Sequence, residues 1–179
     1  MHMATPILIP VSEYLETIYR PDRDYVNGEV KERNMGEQQH SALEAFFAAV
    51  CSINRASWGV RALPEQRVQT SESHYRVADV CIRRITDPAD PIIRVPPLIC
   101  VEILSRGDTL SDMQERVEDY ISMGVQNVWV IDPARRYAWI AQDGGLHKPV
   151  DHAFTVPGTP IRIALADIYA ELDDLAAGR

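Results

Sequence analysis

The stretch Leu98-Ile99-Cys100-Val101-Glu102-Ile103-Leu104 decides the fold. It is an apolar run of strand length, entered through Pro96-Pro97, and it reads as a strand buried on both faces. A helical pattern follows from about Thr109 to Met123, with Leu110, Met113, Val117, Tyr120 and Ile121 on its apolar stripe. Asp108 or Thr109 can cap its start, and Gly124 suits the left-handed position after its end. A second apolar strand, Val128 to Ile131, is stopped by Asp132-Pro133. Strand, helix, strand is the pattern of a parallel crossover, which needs a sheet with helices laid on its faces.

Outward from this unit, helical and strand-like segments interleave. Val11, Tyr14, Leu15 and Ile18 give a short first helix ended by Pro21, and Asn27-Gly28 between Tyr25-Val26 and Glu29-Val30 is a hairpin signal. From Gln38 to Ile53 the spacing predicts an amphipathic helix whose stripe holds Leu43, Phe46, Phe47, Val50 and Ile53. Strands are expected at 59–63, 67–70, 75–83, 137–142 and 161–165, and a last helix at about 166–175. The fold class is therefore α/β (α+β), a mixed central sheet flanked by helices. Residues 1–10 read as an N-terminal tail, with Met1-His2-Met3 as a cloning scar, and 11–179 as a single domain.

The chain has 179 residues and a net charge of −8, with 46% hydrophobic and 25% charged residues, so it can bury a core and is not a disordered polymer. No apolar run approaches the roughly 18 residues of a membrane span, and no signal-peptide pattern opens the chain. Cys51, Cys81 and Cys100 are odd in number and set among apolar neighbours, as expected of buried thiols in a reducing cytoplasm. The acidic balance argues against a general nucleic-acid coat, whose footprint is basic. It does not argue against a nuclease, whose metal site is itself acidic.

Two acids stand where strands should carry apolar side chains. Glu102 interrupts the buried run, and Asp79 sits in Tyr75-Arg76-Val77-Ala78-Asp79-Val80-Cys81-Ile82. Burying an unpaired carboxylate costs several kcal/mol, so each needs a partner: an arginine, a proton or a metal ion. A buried ion pair, or a turn capped by Asp79, is the plain structural explanation. Convergence of both acids on one face is the functional one, since Mg²⁺ takes one or two carboxylates plus water and substrate phosphate. Such a centre suits phosphodiester cleavage.

These words of sequence resemble a known family. Tyr25-Val26-Asn27-Gly28-Glu29-Val30, His40 opening a helix, Arg76-Val77-Ala78-Asp79-Val80, Pro96 to Ser105, and Tyr120, Gly124-Val125, Trp129 and Asp132-Pro133 fall in the order and spacing of the Uma family of bacterial restriction-endonuclease-like proteins, within the PD-(D/E)XK nuclease superfamily. The resemblance spans about residues 11–170. It implies that Asp79 and Glu102 are the metal-binding acids, with Glu29 as a third ligand, holding Mg²⁺ or Mn²⁺. DNA is then the substrate, and a homodimer is the expected assembly for cutting both strands.

The chain departs from the pattern twice. Ala78 stands for the usual proline, and Leu104 stands where the superfamily has its lysine. The resemblance implies that the basic residue comes instead from the following helix, at Arg116, which shares a helix face with Tyr120. Arginine cannot act as a general base but can clamp phosphate and stabilise developing charge. His40 and Tyr120 are possible auxiliaries, His40 being otherwise a cap or packing residue and Arg116 an ion-paired one. Arg83, Arg84, Arg94 and Arg106 are candidate phosphate contacts, and Trp129 and Trp139 read as core or interface. The functional expectation is a metal-dependent endonuclease acting on DNA. The alternatives are a catalytically inactive nuclease-fold binding or assembly module and a hydrolase of another phosphorylated substrate.

Overall fold

A computed structural model describes residues 7–34, 37–142 and 144–178. The proposed scar at Met1-His2-Met3 and the rest of 1–6 lie outside the described residues. In chain order the elements are α1 (Val11–Glu16), β1 (Asp24–Val26), β2 (Glu29–Lys31), α2 (Gln38–Ile53), α3 (Arg55–Trp58), β3 (Val60–Gln69), β4 (His74–Arg84), β5 (Ile99–Ile103), α4 (Leu110–Met123), β6 (Val128–Asp132), β7 (Tyr137–Gln142), β8 (Gly145–His147), β9 (Ala153–Thr155), β10 (Arg162–Ala164) and α5 (Leu165–Ala176). No helix among the described residues is long and apolar enough to cross a membrane.

Eight strands form one mixed sheet. β5 and β6 pair in parallel, with Glu102 opposite Val130, so the expected crossover through α4 is present. The other ladders are antiparallel. The helix between β5 and β6 is bounded by local chemistry. Thr109 caps its N-terminus by accepting from the Asp112 N–H, and Gly124 takes φ 105° after its last turn.

Alternation along the central strands builds two cores. Ile99, Val101 and Ile103 on β5, with Trp129 and Ile131 on β6, pack under α2 (Leu43, Phe47) and α5 (Ile168, Leu172). Cys100, Val128 and Val130 face the other way, against Met113, Val117 and Tyr120 of α4. Trp129 is fully buried and stacks on Phe154 with ring centroids 4.7 Å apart, which makes it core. All three cysteines are buried and free.

Some expectations shift. The segments read as two strands at 59–63 and 67–70 form one strand, β3, continuous through Pro64 because its partner β4 holds them in register on both sides. The first helix stops at Glu16, leaving Ile18 exposed. Ile53, Leu110 and Ile121 have the right spacing for their stripes but lie at helix ends or at the stripe margin, and each is exposed. Strands β8 and β9 and the short α3 were not legible as periodic runs.

One feature of the sheet positions the site. β4 pairs along one edge with β3 for nearly its whole length. Its other edge is shared: Tyr25 of β1 pairs with Tyr75, and β5 begins to pair only at Val80, opposite Val101. The sheet forks between these points. Backbone groups in the fork lack a neighbouring strand and need other partners. Asp24 and Asp79 supply them: Val77 N–H donates to Asp24 Oδ1 at 2.9 Å, and Ile103 N–H donates to Asp79 Oδ2 at 2.7 Å.

Candidate metal and phosphate site in the sheet fork

Asp79 and Glu102 are the next residues along β4 and β5 past the Val80–Val101 pair, at the place where the strands part. Both are buried, at 2% and 1% exposure. Glu102 points toward α4, where Tyr120 Oη–H donates to its Oε1 at 2.7 Å and Arg116 Nη1 lies 3.4 Å from its Oε2. The helix face shared by Arg116 and Tyr120 thus meets Glu102. Arg116 also lies 3.7 Å from Asp24 and 3.6 Å from Asp108.

Asp79 is held from the other side. Arg33, on the chain leaving β2, bonds its Oδ1, and His40, in the first turn of α2, places Nε2 3.3 Å from the same atom. His40 Nδ1 lies 3.6 Å from Glu44 Oε2, the residue one turn further along α2. One ligand atom each from His40, Glu44 and Asp79 come within 4.8 Å of one another.

Glu29 is elsewhere. It pairs with Val26 across the hairpin and bridges to Leu8, and it belongs to neither acidic pair nor this triad. Arg33 is the residue after β2 that reaches Asp79, and the hairpin acid that approaches the site is Asp24. Sequence reasoning passed over Asp24, Arg33, Glu44 and Asp108. For Glu44 a signal existed, since His40 and Glu44 sit at helical i, i+4 spacing. Of the candidate arginines, Arg106 lines the cleft mouth, whereas Arg94 pairs with Asp90 and Arg83 with the Asp87 carbonyl.

The electrostatics divide the two acids. Burial works to raise the Asp79 carboxyl, but His40, Arg33 and the Ile103 N–H outweigh it and hold it below the usual carboxylate range. Burial and the neighbouring Asp79 push Glu102 the other way, well above that range, against the opposing pull of Arg116, Arg33 and Tyr120. Two adjacent buried carboxylates cannot both ionise cheaply, and these take opposite roles.

Burial works to lower His40, but Asp79 and Glu44 dominate and raise it from 6.5 to about 10. A histidine raised in the folded state contributes stability that is fully present below its unfolded value and lost as pH rises through the folded one. In chelator-treated protein, the urea midpoint of the parent should therefore fall between pH 6.5 and 10 relative to His40→Gln. A pH-independent difference between the two would refute the His40 ion pairs.

A cleft of roughly 410 Å³ opens next to His40, lined also by Leu104, Arg106, Asp108, Pro133 and Arg135, while Asp79 itself borders only a small hollow shared with Arg33, His40, Asp108 and Arg116. A larger hollow of about 600 Å³ lies between β7 and α5, lined by Tyr137, Trp139, Lys148 and Tyr169, and carries no carboxylate. The smaller cleft is the one that carries carboxylates, from Glu37, Asp108 and Asp132.

The Uma2 family model, described as "Putative restriction endonuclease", matches residues 11–162. The chain belongs to the Uma2 family. Its fold is shared by a crystal structure described as "a putative nuclease belonging to DUF820" from Anabaena variabilis ATCC 29413. That likeness has a TM-score of 0.77 at 22% identity and covers 92% of this chain and 99% of that one. A chain of the cryo-EM DrdV–DNA complex is similar at a TM-score of 0.43 and 17% identity, over 79% of this chain and 12% of that one. No curated protein matches. The cation beside Glu102 is Arg116, which comes from α4 and not from the strand.

The donors in the fork fit a divalent ion on chemical grounds. Asp79 and Glu102 are adjacent oxygen donors whose mutual repulsion a cation would relieve.

Proposed function

We propose that this Uma2 protein is a metal-dependent endonuclease that hydrolyses DNA phosphodiester bonds at the fork between β1 and β5. The observation that carries this reading is the adjacency of two buried carboxylates, Asp79 and Glu102, each met by a partly buried arginine, next to the cleft that His40 lines. Here Glu102 is kept against the repulsion of Asp79, a costly arrangement of the kind found where charge is used.

Asp79 and Glu102 would hold Mg²⁺ or Mn²⁺, which supplies charge neutralisation and Lewis acidity at a phosphodiester. The remaining work falls to the chain itself. Arg116 keeps its charge at every relevant pH and binds a phosphate oxygen, stabilising the negative charge that develops in the transition state. Its ties to Asp24, Asp108 and Glu102 fix the guanidinium in place. Tyr120 orients Glu102 through its hydroxyl. Arg106 and Arg135, whose side chains are 88% and 75% exposed, border the cleft and meet the nucleic-acid backbone. A second copy would supply the cut in the opposite strand.

The test is nicking of supercoiled plasmid by the purified protein with Mg²⁺ or Mn²⁺. Relaxed circles should appear, cease with EDTA, and be absent with Asp79→Asn. Equal nicking by that variant would assign the activity to another site or to a contaminant.

A specific observation favours a second reading, a silent binding or assembly module. Asp79 is already engaged by Arg33 and His40, and the superfamily lysine position is Leu104. Such a module would bind Mn²⁺ in calorimetry and turn over no nucleic acid.

A further inference from the structure

We propose that the hollow between β7 and α5 is a nucleotide-binding site, taking a base against its aromatic side chains and a phosphate on its basic rim. It lies outside the cleavage centre. A free nucleotide and one unit of a nucleic-acid strand present the same chemistry, and only the second source rests on the nuclease reading.

The volume of about 600 Å³ is that of a small-molecule site. Tyr137, Trp139 and Tyr169 line it, and the Tyr137 and Trp139 rings lie 5.7 Å apart. Tyr137 is 52% exposed, so its ring is open to a partner. Aromatic rings stack on every nucleobase, because each base has a π-face.

The charge of the lining has one sign. Arg136, Lys148 and His152 border the hollow, and no carboxylate does. The whole chain carries 26 acids against 18 lysines and arginines, so a lining with bases and no acids runs against its overall balance. Such a patch attracts an anion in an otherwise acidic molecule. Arg136 is paired with Asp173 of α5, and its guanidinium sits 5.8 Å from the Tyr169 ring centre, which fixes that wall. The phosphate therefore falls to the exposed Lys148, with the His152 imidazole beside it.

The sheet adds polar groups. β8 pairs with β7 only as far as His147 and Ile140, so the outer edge of β7 at Tyr137–Trp139 has no partner strand among the described residues. Backbone groups on an unpaired edge are open to a ligand that both donates and accepts, as base edges do. The hollow also adjoins the fork cleft: Arg135 lines the cleft, and Arg136, the next residue, lines the hollow. A strand whose backbone crosses Arg135 reaches the hollow at the same turn.

The experiment is calorimetry on the full chain in EDTA, with dAMP, 2-deoxyribose 5-phosphate and a single-stranded deoxyadenosine tetranucleotide as probes. Affinity for dAMP should exceed that for the sugar phosphate by at least about 5-fold, the low end of what one base–aromatic stack contributes. Tyr137→Ala should weaken dAMP by at least about the same 5-fold and leave the sugar phosphate unchanged. Lys148→Glu, at an exposed position, should weaken both. A tetranucleotide that binds more tightly than dAMP, and is weakened by Tyr137→Ala, assigns the site to a strand; one that binds no better assigns it to a free nucleotide. No dAMP binding at millimolar concentration, equal affinity for dAMP and the sugar phosphate, or dAMP binding unchanged in both variants would each overturn the proposal. The comparison of probes needs no substitution, so misfolding of a variant does not shelter it. Nicking without dAMP binding would leave the nuclease reading standing and this site refuted. Binding of dAMP with no nicking would do the reverse.

Discussion

Glu102→Gln should lower plasmid nicking by on the order of 10²–10³-fold while leaving the protein as stable as the parent, or more so. The amide keeps the shape of the side chain and can still accept from Tyr120 Oη–H. It removes a carboxyl group that burial and Asp79 both oppose in its charged form. In the parent, an acid raised in the folded state gives stability that declines as pH rises from its unfolded value through the folded one. That decline should be weaker in Glu102→Gln, so the variant gains on the parent between pH 4.5 and about 8, the interval over which the Glu102 carboxyl is shifted. Urea titrations at several pH values, run beside the nicking assay, read both effects. Unchanged nicking combined with a large loss of stability would recast Glu102 as a structural ion-pair member.

Arg76→Met should destabilise the fold by about 3–5 kcal/mol, the usual cost of stripping one partner from a buried charge cluster. Arg76 has a side chain only 2% exposed and ties three acids together: Asp24 at 3.1 Å, Glu115 at 2.8 Å and Asp119 at 2.6 Å. Asp24 lies on β1, Arg76 on β4, and Glu115 and Asp119 on α4, so one guanidinium clamps the helix across the fork. Methionine fills similar volume but leaves Asp24 buried beside a thioether. Asp24 also touches Arg116, so its release should displace the cation that faces Glu102, and nicking should fall along with stability. A change in unfolding free energy below about 1 kcal/mol, the range of an exposed pair, would show that the cluster is not a clamp.

The two variants separate the demands on the fork. Glu102 is held there at a cost to folding and is expected to matter for chemistry. Arg76 is expected to matter for folding first and for chemistry only through Arg116. Both sit within one group of charges, yet their stability effects should have opposite signs.

What the sequence by itself determined is what short-range chemistry controls. The β5–α4–β6 unit was legible because an apolar run, a Thr109 cap, a helical stripe and Gly124 are adjacent in the chain. Asp79 and Glu102 stood out because a carboxylate within an apolar strand carries a desolvation cost that local reading can register. The family resemblance pointed to Arg116, helical spacing put Tyr120 on the same face, and both meet Glu102.

Only the tertiary structure decided who neutralises whom. Glu29 was implied by the family resemblance, but the antiparallel register pairs it with Val26, and Arg33 further along the same chain reaches Asp79. Asp24 became part of the site because β4 shares one edge between β1 and β5 and leaves Val77 N–H in need of an acceptor. Strand order and the fork are set by contacts between segments far apart in the chain, and no local pattern encodes them. Ion pairing depends on separations of a few ångströms, so the same charged residues support a different site once the strands are placed.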